Sequence, residues 1–132
     1  MNLEQAIHQR WAADSELCAL LPAGSFVTGR HSGDDLPYAT LQRRENHTVL
    51  RTNAGDAVDG AAVLIHVWHD DYDAGKAIAE QVETVFHDSQ FSLPPGGRTV
   101  QMRRESDSVD EHDGLWRFVL EFLVQIYLPS GG

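Results

Sequence analysis

Residues 115–127 read LWRFVLEFLVQIY, and this stretch decides the fold. Every second side chain is large and apolar: Trp116, Phe118, Leu120, Phe122, Val124 and Ile126. A period of two over so long a run predicts a β-strand with one face on the core. The other face places Arg117, Glu121 and Gln125 among apolar residues such as Leu123 and Tyr127. Because this second face is only half polar, we expect another subunit to cover part of it.

Two helices and two more strands are predicted upstream of this strand. Apolar residues at spacings of three and four over 3–11 and 74–86 indicate helices with one buried face. Asp73 is placed to cap the second helix. The run AAVLIHVW over 61–68 is typical of a central strand covered on both faces, and 38–43 fits a further strand. The order predicts an α+β fold with a mainly antiparallel (mixed) sheet and both helices on one face.

Three segments complete the predicted domain, which spans residues 1–132 as one unit. Residues 44–60 contain turn signals and predict a long, mobile hairpin or loop. Residues 98–105 alternate loosely, with Val100, Met102 and Arg104 on one side, and predict a strand. Residues 106–114 read SDSVDEHDG, which predicts a solvated acidic loop between two strands.

Composition and charge exclude several classes of protein. The 132 residues carry ten basic and twenty acidic side chains, a net charge of −10. A phosphate backbone would be repelled by this charge, so sequence-specific DNA binding is not expected. The sequence contains no apolar run long enough to cross a membrane. Its start lacks the features of a secretory signal, and its single cysteine predicts a protein that stays in the cytoplasm.

Histidines and acids around residues 66–71 offer one route to chemistry. A small metal-dependent or acid–base enzyme could use His66, His69, Asp70 and His112, or a metal could take His69, Asp71 and His112. Residues three apart on a strand point to opposite faces, so His66 and His69 cannot share a metal without a bulge. We therefore expect His66 to be a polar residue in or beside the core and His69 to lie at the end of the strand.

Other catalytic and cofactor patterns do not fit. An EF-hand loop started at Asp107 would place Val109 at position 3 and His112 at position 6, where a ligand and a glycine are needed. The sequence has no nucleophile elbow, no phosphate-binding glycine loop and no HExxH motif. We therefore predict no catalytic residue, no metal and no cofactor.

The order of motifs resembles that of a known family. LPYATLQ at 36–42 is similar to the LPY-plus-strand motif of the tail-completion proteins of tailed bacteriophages. AVLIHVW at 62–68, YDAGKA at 72–77 and DGLWRFVLEF at 113–122 resemble the strand, helix and closing strand of that family. The match covers nearly the whole chain apart from 44–60.

This resemblance implies a structural protein with a tail-terminator-like fold. Such proteins assemble in the cytoplasm of the bacterial host into a ring, often of six subunits. The ring ends the tail tube, meets the neck or connector proteins and lets the genome pass. A component of a related contractile-injection particle would give the same pattern.

Residues for these roles follow from the resemblance together with the patterns above. Leu123, Tyr127 and Val49 are the expected contacts between subunits. An acidic lumen would repel DNA, and Asp107, Asp110, Glu111 and Asp113 are its expected lining because they share one predicted loop.

Overall fold

A computed structural model describes residues 1–30, 35–51 and 57–129, and for residues 45–51 it describes the backbone alone. The helices are α1 (Leu3–Ala13), α2 (Ser15–Leu20) and α3 (Tyr72–Phe86), with a single 3₁₀ turn at Ala23–Ser25. The strands are β1 (Phe26–Thr28), β2 (Tyr38–Arg51), β3 (Ala57–His69), β4 (Ser89–Leu93), β5 (Arg98–His112) and β6 (Leu115–Leu128). The sheet order is β1-β2-β3-β6-β5-β4. Of the strand pairs in the described ranges, only β1 and β2 run parallel, which confirms the predicted α+β fold with a mainly antiparallel mixed sheet.

Local side chains start both long helices. Asn2 and Gln5 form a capping box at the start of α1, each accepting a backbone N–H of the other. The cap of α3 is Asp71, whose carboxylate accepts the Ala74 N–H at 2.8 Å. The prediction that Asp73 caps the helix is wrong, because the helix begins at Tyr72, two residues before the predicted start, and Asp73 lies in its first turn.

One face of the sheet carries the core. It includes the alternate β6 residues from Phe118 to Ile126, which are buried as their spacing predicts. Helix α3 lies on this face and packs Phe86 against Phe122, with the two ring centroids 6.1 Å apart. Gly75 lets the helix approach, since a Cβ there would lie 2.5 Å from Phe118. In α1, Trp11 is fully buried and stacks on Phe26 of β1.

Several predicted segments differ from the structure. Residues 106–112 are not a loop but the outer half of β5, and the chain turns at Asp113–Gly114, where both residues have positive φ. An Asp-Gly pair suits a two-residue hairpin turn, so the strands continue to the turn itself. Strands β1 and β4 were not predicted. The central strand β3 is fully buried on its core face from Ala61 to Val67; on the other face Ala62 is buried, whereas Leu64, His66 and Trp68 are half-buried.

The segment 44–60 lies largely in the β2–β3 hairpin. The two strands pair from Tyr38↔Trp68 to Arg51↔Ala57, with register shifts between Arg43 and Glu45 and between Thr48 and Leu50. Residues 52–56 lie outside the described residues, so the mobility predicted for this segment stays a prediction.

Candidate functional site

The sheet presents a second face that the helices leave open. In the described part of the chain, the ring contacts of α1 and α3 with strands all go to the opposite, core face. The strand register places Trp68, Arg117 and Asp110 in one row across the open face. A second row holds Val58, Tyr127 and Thr99. This open face therefore has an aromatic, charged end and an apolar end.

The aromatic end is a stack of rings closed by an ion pair. Trp68 stacks on Tyr38 at 5.8 Å and on His66 at 6.1 Å between ring centroids. The Arg117 guanidinium lies over the indole of Trp68, 5.5 Å from the ring centroid, which is within the range of a cation–π interaction. Asp110 accepts from Arg117 twice, at 3.0 and 2.6 Å, in the fork geometry that favours arginine.

His66 is kept neutral by this setting. Burial lowers the pKa of the imidazole, and the nearby Arg117 charge lowers the pKa further, while Asp110 opposes the shift. The Nε2 atom of His66 and the indole Nε1 of Trp68 are buried and have no hydrogen-bond partner among the residues that the structure describes. A neutral, half-buried histidine beside an indole is more typical of a surface that packs against another protein surface than of a surface exposed to solvent.

The apolar end contains two of the predicted contact residues. Leu123 is 39% exposed and Tyr127 is 41% exposed, large fractions for such side chains in a central strand. A shallow depression of about 420 Å³ lies beside Tyr127 and is lined by Val58, Gln90 and Thr99 among others. The third predicted contact residue, Val49, belongs to β2 by its backbone, and its side chain lies outside the described residues.

The four predicted lumen acids do not share one loop. Asp107 pairs with Arg104 at 3.1 Å on the helix-facing side of β5, whereas Asp110 lies on the open face. Glu111 accepts the Gly114 N–H at 2.6 Å, and Asp113 sits in the turn itself. The predicted loop is wrong because β5 extends to the turn, and strand alternation then sends successive acids to opposite faces.

The histidines and acids of the enzyme hypothesis have different neighbours and do not form one cluster among the described residues. His69 Nδ1 contacts Asp70 at 3.1 Å and accepts the Asp71 N–H at the end of β3. His112 ends β5, 93% exposed, beside Asp113. Among the residues that the structure describes, no group of three metal-ligating side chains comes together. Within the same residues, no helix combines the length and apolar character needed to cross a membrane.

The ion pair of Asp110 and Arg117 was missed at the sequence level, although a signal for it exists. Once Asp113–Gly114 is taken as a two-residue turn, residues 112 and 115 must pair, and so must 110 and 117. An aspartate and an arginine directly opposite each other on one face then form a cross-strand pair.

The six-stranded mixed sheet with its helices on one face is an α+β fold of the tail-terminator-like kind. The family model described as tail completion protein gp17 matches residues 5–127, and the chain belongs to that family. This confirms the resemblance drawn from the motifs. A solved chain titled "Virion of native gene transfer agent (GTA) particle" has the same fold, with a TM-score of 0.76 and 19% identity. The alignment covers 95% of this chain and 94% of that one. No curated protein matches.

Proposed function

We propose that this protein completes the tail tube by assembling with copies of itself into a ring at the head-proximal end of the tail. The family match over residues 5–127 carries the proposal. The ring ends tube growth and presents a surface to the neck or connector proteins. Assembly takes place in the cytoplasm of the bacterial host, before the ring becomes part of the virion tail.

Deletion of the gene in the producing bacterium tests tail completion. Without the protein, we expect tails of uneven length and heads without tails in electron micrographs. Expression of the intact chain from a plasmid restores joined particles. Normal particles in the deletion strain would overturn the proposal.

The open face supports self-assembly. Leu123 and Tyr127 expose apolar surface on a central strand, and burying such surface is favourable at about 25 cal/mol per Å². We propose these two residues, together with Val49, as contacts within the ring. No catalytic step is part of this function, which depends on contacts between surfaces.

Light scattering after size exclusion, across a concentration series, tests the ring. The chain has a mass of 14.7 kDa, and a ring of six would have about six times that mass. A discrete oligomer whose mass falls on Leu123→Ser or Tyr127→Ser supports the proposal. A control, Leu20→Ser, changes a residue with 42% exposure on α2 and leaves the ring intact. A monomer at every concentration would overturn self-assembly.

The charge supports a passage for DNA through the ring. The net charge of −10 disfavours contact with phosphates, and we propose that Asp107, Asp110, Glu111 and Asp113 contribute to an acidic lumen. Two of the four, Asp107 and Asp110, are partly neutralised by arginines. We expect the assembled protein not to bind a short DNA duplex even at low salt, where electrostatic binding is strongest. Retention of the duplex would contradict this role.

A further inference from the structure

The sheet has two long strand edges that its outermost strands leave unpaired. Strand β1 pairs with β2 only over residues 39–41, so the outer edge of β2 is free over 42–51 in the described part of the chain. Strand β4 pairs with β5 only over residues 98–102, and His87 accepts the Arg104 N–H just beyond. Among the described residues, the outer edge of β5 is then free over 105–112. Unpaired N–H and C=O groups along such edges are templates for another strand.

The two edges carry opposite charges. Residues 42–51 contain three arginines and one glutamate, and we call them the basic edge. Residues 105–112 contain four acids and no lysine or arginine, and we call them the acidic edge. Two acidic edges repel each other, whereas the arginines of the basic edge attract the acidic edge. Arg43 and Arg44 also pair within the protomer, with Glu4 and Glu121. The charges thus disfavour a symmetric pair and favour a head-to-tail contact.

We propose that the acidic edge of one protomer pairs with the basic edge of a second copy, so that the sheet continues from subunit to subunit. This inference rests on the ring assembly proposed above and names the contact that closes the ring. Strand directions alternate from β2 through β3 and β6 to β5, so β5 and the next copy's β2 meet as antiparallel strands. Such a pairing extends the existing antiparallel ladder without reversing either strand.

The offset between the edges is compatible with a closed ring. Residues 106–112 of the acidic edge lie opposite residues 115–121 of β6. The basic edge lies level with the other end of β6, since Gln42 aligns through Leu64 with Glu121. The offset is about six residues or 20 Å, against about 19 Å for the width of four strands. Strands tilted on the order of 45° absorb that offset, close to the tilt of closed barrels.

A mixing experiment with charge-reversed chains tests this contact. The acid-reversed variant carries Glu105→Lys, Asp107→Lys and Glu111→Lys, and the base-reversed variant carries Arg44→Glu and Arg51→Glu. In each variant both edges have the same sign, so we expect neither variant alone to form the ring where wild type is assembled. In an equal mixture, unlike edges meet again at every contact, and rings of alternating variants should return. Light scattering measures all three samples.

A matched control reverses two acids away from both edges, Glu16→Lys and Glu80→Lys, and should assemble as wild type does. Either edge variant assembling alone at wild-type concentrations would overturn the edge contact. So would a mixture that stays monomeric although each variant shows the thermal unfolding of a folded monomer. A wild-type chain that never assembles would overturn the ring itself, together with this contact.

Amide hydrogen exchange gives a second test without substitutions. On assembly, we expect exchange to slow at least tenfold at alternate residues within 42–51 and 105–112, because every second N–H of a free edge points outward. Protection confined to β6 residues around Leu123 and Tyr127 would place the contact on the open face and overturn the edge pairing.

Discussion

Phe122 and Leu123 are neighbours on β6, yet Phe122 is fully buried and Leu123 is 39% exposed. The strand is the same, and the difference is the face. The Phe122 side contacts α3 and forms the core, while the Leu123 side forms the open face of the sheet. This contrast shows that stability and assembly are carried by alternate residues of one strand, so substitutions can separate the two properties.

The largest expected effect is the loss of stability on substitution of a residue on the core face of β6. Phe122→Ala should lower the free energy of unfolding by about 3–5 kcal/mol, because it removes a fully buried ring and leaves a cavity. Leu123→Ala, one residue along, should cost less than about 1 kcal/mol in the monomer. Urea unfolding of both variants at a concentration where the chain is monomeric measures the difference. Equal losses would contradict the separation of the two faces.

A second test concerns how closely α3 lies on the core face. Gly75→Ala would place a Cβ 2.5 Å from Phe118 and 3.0 Å from His69. The helix or the ring must shift, which costs about 1–3 kcal/mol. Gly24→Ala is the matched control, since its Cβ would meet nothing within 4 Å. Thermal unfolding should show a lower midpoint for the Gly75 variant only.

The start of α3 offers a smaller effect that separates two neighbouring acids. Asp71→Ala removes the cap of the Ala74 N–H and should cost about 1 kcal/mol. Asp73→Ala removes only a charge in the first turn, worth about 0.3–1 kcal/mol through the helix dipole. Chemical unfolding of the two variants ranks them, and a larger loss for the Asp73 variant would favour the cap that the sequence suggested.

The smallest expected effect is a dependence of the stability on pH, to which one histidine on the open face and one on α1 contribute. Burial lowers the pKa of His66 on the open face, and burial also lowers the pKa of His8 on α1, against the opposing charge of Glu4. The unfolded chain therefore takes up protons near the ordinary pKa of 6.5, before the folded chain does. Stability present above pH 6.5 is lost as the pH falls below it.

His66→Gln and His8→Gln should each reduce this acid-induced loss, and the double variant should reduce it most. The free energy of unfolding measured at pH 7.5 and 5.5 gives the slope for each chain. A slope unchanged in the double variant would show that other groups govern the pH dependence.

Much of the fold could be predicted from the sequence because period and chemistry agree in its long elements. The strand at 115–127 buries its alternate residues from Phe118 to Ile126, and Trp116 at its start is half-buried. The stripe of α1 is buried as its spacing indicates, and that of α3 is buried at Ile78, Val82 and Phe86. The short strands could not be predicted, because the three residues of β1 and the five of β4 hold too few alternations to show a period. The outer half of β5 was missed because it is exposed on both sides and its residues do not alternate between apolar and polar.

The candidate site was less accessible to sequence reasoning. Leu123 and Tyr127 stood out because an apolar residue on the half-polar face of a strand is conspicuous. The row of Trp68, Arg117 and Asp110 depends on the register of three strands, which is set by pairing between distant parts of the chain. The two free edges depend on how far β1 and β4 extend, and neither strand was predicted.

The register shift between Arg104 and Ser106 has a consequence for insertions and deletions in this chain. In the part of β5 that precedes the shift, even-numbered residues such as Met102 face the core. Beyond it, odd-numbered residues such as Asp107 and Val109 share that face with Leu120 and Phe118. Because of this one extra residue, the side chains that face the core change from even-numbered to odd-numbered positions of β5. Deletion of Glu105 would join Arg104, which lies opposite Phe122, directly to Ser106, which lies opposite Glu121. Regular alternation would then run through the whole of β5, and both parts of the strand would keep their pairing with β6. A relative of this protein can therefore lose the residue at this position without any change in the pairing of the tip beyond it.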